Sequence, residues 1–348
     1  MSGLTDGLAR IPLSIEPLTK KDFTSDQEVR WCPGCGDYSI LATFQSMMAT
    51  LGLRRENTVL ISGIGCASRF PYYVDAYGMH SIHGRAPAIA TGVALTRPDL
   101  NVWVVAGDGD ALSIGGNHLI HAMRRNVNLT VMLFNNRIYG LTKGQYSPTS
   151  EPGKVTKSTP YGSLDTPFNP VSLALGAEAT FVARSVDSDR THLTDVLTAA
   201  ARHRGSALVE IYQNCPIFND DAFSTLKGPE GSLISLRHGE PIVFGGGEYC
   251  VVRGEDGDIR VQPVTEADPT RIVVHDETRE DPSLAFSLSR LTEPGVMRQA
   301  PIGIFRRVQR PSYDDLTREQ IDAVRAPDPA AALASVIAGT DTWEADER

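Results

Sequence analysis

Residues 101–110 read NVWVVAGDGD, and residues 129–136 read LTVMLFNN. Each is a run of apolar residues that ends abruptly in Gly, Asp or Asn. A half-exposed strand alternates apolar and polar positions, so unbroken apolar runs predict strands covered on both faces. TVLISGIG (58–65) and SALVEIYQNC (206–215) have the same form. Segments of helical period lie between them. YSILATFQSMMATLG (38–52) ends at a Gly stop, HGRAPAIATGVALTRPDL (83–100) reads as a loop and a small-residue helix stopped at Pro98, and IGGNHLIHAMRRN (114–126) is helical. Residues 170–204 alternate helix and strand again. The pattern predicts an α/β fold, a parallel sheet with helices on both faces. Such sheets bind ligands at the carboxyl ends of their strands, so the loops after residues 65, 109, 136 and 214 are where chemistry is expected.

Outward from this centre the pattern weakens. Residues 1–30 are polar and read as an N-terminal arm, 31–220 as the cofactor-binding domain, and 221–348 as a C-terminal extension packed on it. Within the extension, GGGEYCVVRGEDGDIRVQPV (245–264) reads as a β-hairpin around Glu-Asp-Gly-Asp, and the terminal DTWEADER (341–348) as disordered. The formal net charge of -9 argues against a general nucleic-acid or membrane-surface binder. No apolar run is long enough to span a bilayer, and the N-terminus lacks a basic-then-apolar leader, so the expected location is cytoplasmic. Thiols are kept reduced there, which favours ligand or catalytic cysteines over a structural disulfide.

The second signal is GDGDALSIGG (107–116) followed by NNRIYG (135–140). Asn136 follows Asp108 by 28 positions (136 − 108), about one helix plus one strand, which places both at the ends of adjacent strands. Their oxygens are hard ligands suited to Mg²⁺. Gly107 and Gly109 let backbone approach a phosphate, and the following helix start offers free N–H groups. A strand-end turn with a helix cap is the plainer alternative for GDG alone. With its second half at this distance, the pair resembles the thiamine-diphosphate-binding motif. The resemblance implies that Asp108, Asn136 and the carbonyl of Ile138 hold Mg²⁺, which in turn holds the diphosphate. Enzymes of that kind also need a glutamate on a separate pyrimidine-binding domain. One α/β domain leaves no chain for both, so this chain is expected to be inactive alone.

The five cysteines are Cys32, Cys35, Cys66, Cys215 and Cys250. Cys32 and Cys35 flank a Pro-Gly turn in CPGCG, while Cys66 and Cys215 follow apolar strands on the predicted cofactor edge. Four thiolates converging there would suit zinc or a [4Fe–4S] cluster, and spacing alone does not decide. One close pair joined by two distant singles, beside an organic cofactor, fits electron transfer better. Cys250, between Tyr249 and Val251, reads as a small buried hydrophobe.

Taken together, WCPGCGDYSI (31–40), SGIGCASRFPYY (62–73), HSIHGRAPAIATG (80–92), GDGDALSIGGNH (107–118), FNNRIYGLTKGQYSPTS (134–150) and QNCPIFND (213–220) resemble the β subunits of 2-oxoacid:ferredoxin oxidoreductases. HDETREDPSLAFSLSRL (275–291) also looks familial, and YGLTKGQYSPTS is most like the 2-oxoglutarate members. The resemblance implies the thiamine-diphosphate-binding fold, with a [4Fe–4S] cluster on Cys32, Cys35, Cys66 and Cys215. It implies an α partner carrying the pyrimidine-binding and γ-type domains in an αβ or (αβ)₂ assembly. It also implies coenzyme A as co-substrate and ferredoxin as electron acceptor.

The remaining candidates are weighed against plainer roles. Gly65, Ser68 and Asp110 are expected to line the cofactor loops, and Tyr139 and Gly140 to shape the loop after the metal motif. His83 is expected to donate to a diphosphate oxygen, with a satisfied loop histidine as the alternative. Lys143 would pair with the distal carboxylate of 2-oxoglutarate as a point charge, against a solvated loop lysine. His118 and His121 read as packing or surface residues. The rival functions are the same chemistry on pyruvate or branched-chain 2-oxo acids, a non-redox thiamine-diphosphate decarboxylase or synthase with zinc, and a zinc-stabilised interaction module.

Overall fold

The computed structural model describes residues 6–227, 232–292, 297–341 and 343. Most of the terminal DTWEADER and the first five residues lie outside them. The apolar runs are strands: β1 (Thr58–Ser62), β2 (Tyr77–His80), β3 (Asn101–Gly107), β4 (Leu129–Asn135), β5 (Phe181–Val186) and β6 (Ser206–Tyr212). Beyond them come β7 (Leu233–Leu236), β8 (Val243–Phe244), β9 (Tyr249–Arg253), β10 (Ile259–Pro263) and β11 (Ala300–Arg307). The helices are α1 (Asp37–Thr50), α2 (Ala86–Thr96), α3 (Asp108–Leu112), α4 (Gly116–Arg124) and α5 (Pro170–Gly176). They continue with α6 (Arg190–Arg202), α7 (Ser283–Ser289), α8 (Tyr313–Val324) and α9 (Pro329–Ala338).

Eight strands form one sheet in the order β2-β1-β3-β4-β6-β5-β11-β7. All its pairings are parallel except β11 against β5. Strand periodicity divides each apolar run between two cores. Val102, Val104 and Ala106 of β3 face one core with α2, α4, α5 and α7. Trp103 and Val105 face the other, with α1, α6, Trp31 and the arm residues Leu8, Ile11 and Phe23. This double coverage is why the runs contain no polar alternation. The arm is therefore a packed layer, and Gln45 of α1 ties it down by donating to the carbonyls of Phe23 (3.1 Å) and Tyr73 (3.0 Å).

Two expectations are corrected. The helix that follows GDG is not the one expected over 114–126. Gly107 leads directly into the five-residue α3, the chain breaks at Ser113, and α4 starts afresh at Gly116. Nor does the extension only pack on the sheet, because β7 and β11 are part of it, alongside β5. Gly303 and Arg306 in APIGIFRR hide β11 from a reading based on apolar runs. The expected hairpin is present as β9 and β10, with β8 as a third strand.

Candidate active site

The strand order places β1, β3, β4 and β6 side by side, so the loops after all four lie on one edge. Asp108 opens α3 and is 2% exposed. Its Oδ2 accepts from the hydroxyls of Ser147 and Thr149, both at 2.5 Å. Burial pushes its carboxyl up to about 6, against the lowering effect of those hydroxyls. A buried carboxylate supported by hydroxyls is a fitting place for a divalent cation.

The loop after β4 supplies the rest of the motif. Asn135 Oδ1 lies 2.8 Å from Thr149 Oγ1 and accepts from the Arg137 amide (3.2 Å). Asn136 Oδ1 accepts from the Ile138 amide at 3.2 Å, and Asn219 donates to the Asn136 carbonyl at 2.9 Å. Arg137, buried and at φ 59°, holds the left-handed conformation at the apex, a conformation that non-glycine residues adopt at a cost. Arg137 Nε donates to the Thr149 carbonyl at 3.0 Å, clamping the 147–150 segment over Asp108. Tyr139 OH donates to the Gly109 carbonyl at 2.9 Å, and a Cβ added at Gly109 would run into the Tyr139 ring. Gly109 is thus required for close approach between the two halves of the motif.

The cysteines meet the same loop. In CPGCG, Gly34 at φ 82° follows Pro33, and the Cys35 amide donates to the Cys32 carbonyl at 3.0 Å. That is the Pro-Gly turn expected between the two cysteines. A Cβ built on Gly140 would lie 3.5 Å from Cys66 Sγ and 3.7 Å from Cys215 Sγ. The Cys66 thiol feels Cys215 and Cys32, and the Cys35 thiol feels Cys215. Burial pushes Cys66 up to about 11 and Cys35 well above the ordinary thiol range. Thiols of this kind become thiolates when a cationic centre binds beside them. Among the described residues, no three His, Cys, Asp or Glu side chains stand close enough for a single metal ion. Gln213 Nε2 lies 3.1 Å from Cys35 Sγ. Cys250 is buried in β9, away from these four.

Two expected lining residues are buried in this chain. Ser68 is fully buried under the Ala67–Tyr72 turn, where its carbonyl accepts from Ser62 Oγ at 2.6 Å. Asp110 is 2% exposed and acts as an anchor. Its Oδ1 takes the Gly84 amide (2.8 Å), the Ile64 amide (3.2 Å) and His83 Nδ1, tying the loops at 63–65 and 83–84 to α3. His83 is thus held through Nδ1, with its ring edge-on to Tyr139. Lys143 is exposed at φ 77° near the tip of the loop, and its amide donates to the Gly140 carbonyl at 3.0 Å. Beside it, Gly65, Arg69, Tyr72, His80 and Leu141 line an open groove of about 540 Å³. His118 and His121 sit on α4, half-buried and exposed, as expected. Ser147, Thr149, Asn135 and Gln213 escaped the sequence reading. The hydroxyl-rich SPTS run (147–150) was the available signal for the first two.

The fold and crevice define a thiamine-diphosphate-binding domain. Residues 63–211 match the model of the thiamine pyrophosphate enzyme C-terminal TPP-binding domain. The chain is 64% identical over 352 residues to 2-oxoglutarate oxidoreductase subunit KorB of Mycobacterium tuberculosis, spanning 99% of this chain and 94% of that protein. It is 47% identical over 190 residues to 2-oxoacid:ferredoxin oxidoreductase 1 subunit beta of Aeropyrum pernix, spanning 55% of this chain and 60% of that one. Among solved structures it resembles 2-oxoglutarate:ferredoxin oxidoreductase from Magnetococcus marinus, which has 2-oxoglutarate, coenzyme A and succinyl-CoA bound. The TM-score is 0.76 at 34% identity, covering 95% of this chain and all of that one. The chain belongs to the β subunits of the 2-oxoacid:ferredoxin oxidoreductases. It is a subunit of an oxidoreductase, and no helix among the described residues is long and apolar enough to cross a membrane.

Proposed function

We propose that this chain is the β subunit of a 2-oxoglutarate:ferredoxin oxidoreductase. The complex would convert 2-oxoglutarate and coenzyme A to succinyl-CoA and CO₂, passing two electrons to ferredoxin. The observation that carries this reading is the meeting of two sets of residues at Tyr139–Gly140: the GDG turn against Tyr139 on one side and the sulfurs of Cys66 and Cys215 against Gly140 on the other.

Asp108, Asn136 Oδ1 and the Ile138 carbonyl would hold Mg²⁺ against the diphosphate. Gly65, Gly107, Gly109, Tyr139 and Gly140 shape the cofactor bed, and His83, fixed by Asp110, offers Nε2 to a diphosphate oxygen. Cys32, Cys35, Cys66 and Cys215 would hold a [4Fe–4S] cluster. Thiamine diphosphate supplies the electron sink for loss of CO₂, and an iron–sulfur cluster accepts the electrons singly. Lys143 pairs with the distal carboxylate of the substrate. An α subunit completes the site with its pyrimidine-binding domain.

The relative at 64% identity, named for 2-oxoglutarate, supports that substrate. The broader name of the Aeropyrum relative favours a second reading, in which pyruvate or another 2-oxo acid is used. The test is coenzyme-A-dependent viologen reduction by the chain purified anaerobically with its α partner. We expect a much higher kcat/KM with 2-oxoglutarate than with pyruvate, and no turnover by the isolated chain. Preference for pyruvate would overturn the substrate assignment. Reduction by neither, with thiamine diphosphate bound, would overturn the redox reading.

A further inference from the structure

We infer that Gln213 raises the reduction potential of the iron–sulfur cluster by donating a hydrogen bond to the sulfur of Cys35; this rests on the cluster reading proposed above. Gln213 follows β6 directly, is 1% exposed and lies two positions before Cys215. Its backbone amide donates to the Asn135 carbonyl at 3.0 Å, which fixes its position against the end of β4. Its side-chain Nε2 stands 3.1 Å from Cys35 Sγ and 2.5 Å from the Asn214 carbonyl.

The orientation of the amide follows from its neighbours. A carbonyl oxygen and a ligating thiolate are both acceptors, so only the NH₂ end can face them. Turned over, Oε1 would meet two acceptors at once. As placed, Oε1 is buried without a hydrogen-bond partner among the described residues. An orphaned carbonyl is costly, and a methionine would fill the same volume without it. A role in packing therefore does not account for the glutamine, whereas a donor aimed at the sulfur does.

Reduction adds one electron to the cluster and increases negative charge on its sulfurs. An N–H dipole directed at a ligand sulfur stabilises that state more than the oxidised one. Hydrogen bonds to the sulfurs are one of the protein's means of setting cluster potential. Removing this donor should make the cluster harder to reduce.

The test uses the complex with its α partner, prepared anaerobically, and an EPR-monitored redox titration. Gln213→Met keeps length and loses the donor, and Gln213→Glu replaces the donor with an acceptor. We expect wild-type iron content in Gln213→Met with a midpoint shifted to more negative values, and a larger negative shift in Gln213→Glu. An iron-loaded Gln213→Met complex with an unchanged or more positive midpoint would overturn the inference while leaving the cluster reading standing. If neither variant retains iron, the wild-type complex decides. With glutamine ¹⁵N-labelled at the side-chain amide, pulsed EPR of the reduced cluster should show a coupled nitrogen, and its absence overturns the inference. A wild-type complex without iron would overturn the cluster reading and this inference together.

Discussion

Thr149 shows how much of the site rests on one uncharged atom. Its hydroxyl stands within hydrogen-bond distance of both Asp108 Oδ2 (2.5 Å) and Asn135 Oδ1 (2.8 Å), so it links the GDG half of the motif to the NN half. Thr149→Val keeps the shape and removes that link. Groups that orient metal ligands typically account for about 10–100-fold in affinity. We expect a loss of that size in Mg²⁺-dependent thiamine-diphosphate binding to the complex, measured by calorimetric titration, with little change in Tm. A loss below about twofold would remove Thr149 from the site. Lys143 is argued on charge. A hydrogen bond to a charged group contributes about 1.5–3 kcal/mol. Lys143→Ala should therefore raise KM for 2-oxoglutarate about ten- to hundredfold and KM for 2-oxobutyrate much less, and equal effects would sink the assignment. Asp108, Asn136 and the four cysteines were legible because their chemistry is intrinsic and their spacing unusual. Thr149, Asn135 and Gln213 were not, because a hydroxyl or amide acquires a role only from the atoms set beside it.

Between strands, the register sets Arg184 of β5 opposite Glu210 of β6, and the two form an ion pair at 2.7 Å with both side chains about 1% exposed. Arg184 lies over the rings of Tyr212 and Phe305, and Glu210 also accepts from Asn135 Nδ2 at 2.7 Å. Breaking such a pair leaves a buried charge unpaired, which costs about 3–5 kcal/mol, whereas replacing both partners is far milder. Glu210→Leu should lower the unfolding free energy by that amount, and Arg184→Met added to it should recover much of the loss in chemical denaturation. A double variant no better than the single would refute the pairing argument. At the end of α6, burial and the charge of Arg307 hold the His203 ring down to about 3, against an ordinary 6.5. The unfolded chain then binds the extra proton, so this contribution is complete above pH 6.5 and is lost as pH falls toward 3. The expected slope is about 1.4 kcal/mol for each pH unit in that window. His203→Gln should flatten it, and an unchanged slope would assign the acid sensitivity elsewhere. Helices and inner strands were legible from period alone. Strand β11 was not, because Arg306 is buried there by bonds to the carbonyls of Ala179 and Glu280, so a charged residue occupies a core position.

Across the whole molecule, the C-terminal region is not uniform. Deleting it from residue 221 would remove β7 and β11 and bare the edge of β5, an invitation to aggregation. Its last helix is different: α9 has no buried residue, and Leu333, Val336 and Ile337 are 60–80% exposed. Truncation after Arg325 should change the unfolding free energy by less than about 0.5 kcal/mol. A larger loss would mean that α9 packs on the molecule. The amino-acid sequence by itself determined the class of fold, the cofactor motif and the set of candidate ligands. Those rest on strand and helix period and on spacing within single strand–loop–helix units, where chain distance is a good measure of distance in space. The tertiary structure alone decided that Ser68 and Asp110 turn inward, that Thr149 closes over Asp108, and that Gln213 reaches Cys35. Those outcomes depend on the order β1-β3-β4-β6, which sets loops far apart in the chain side by side, since neighbouring strands lie about 4.8 Å apart.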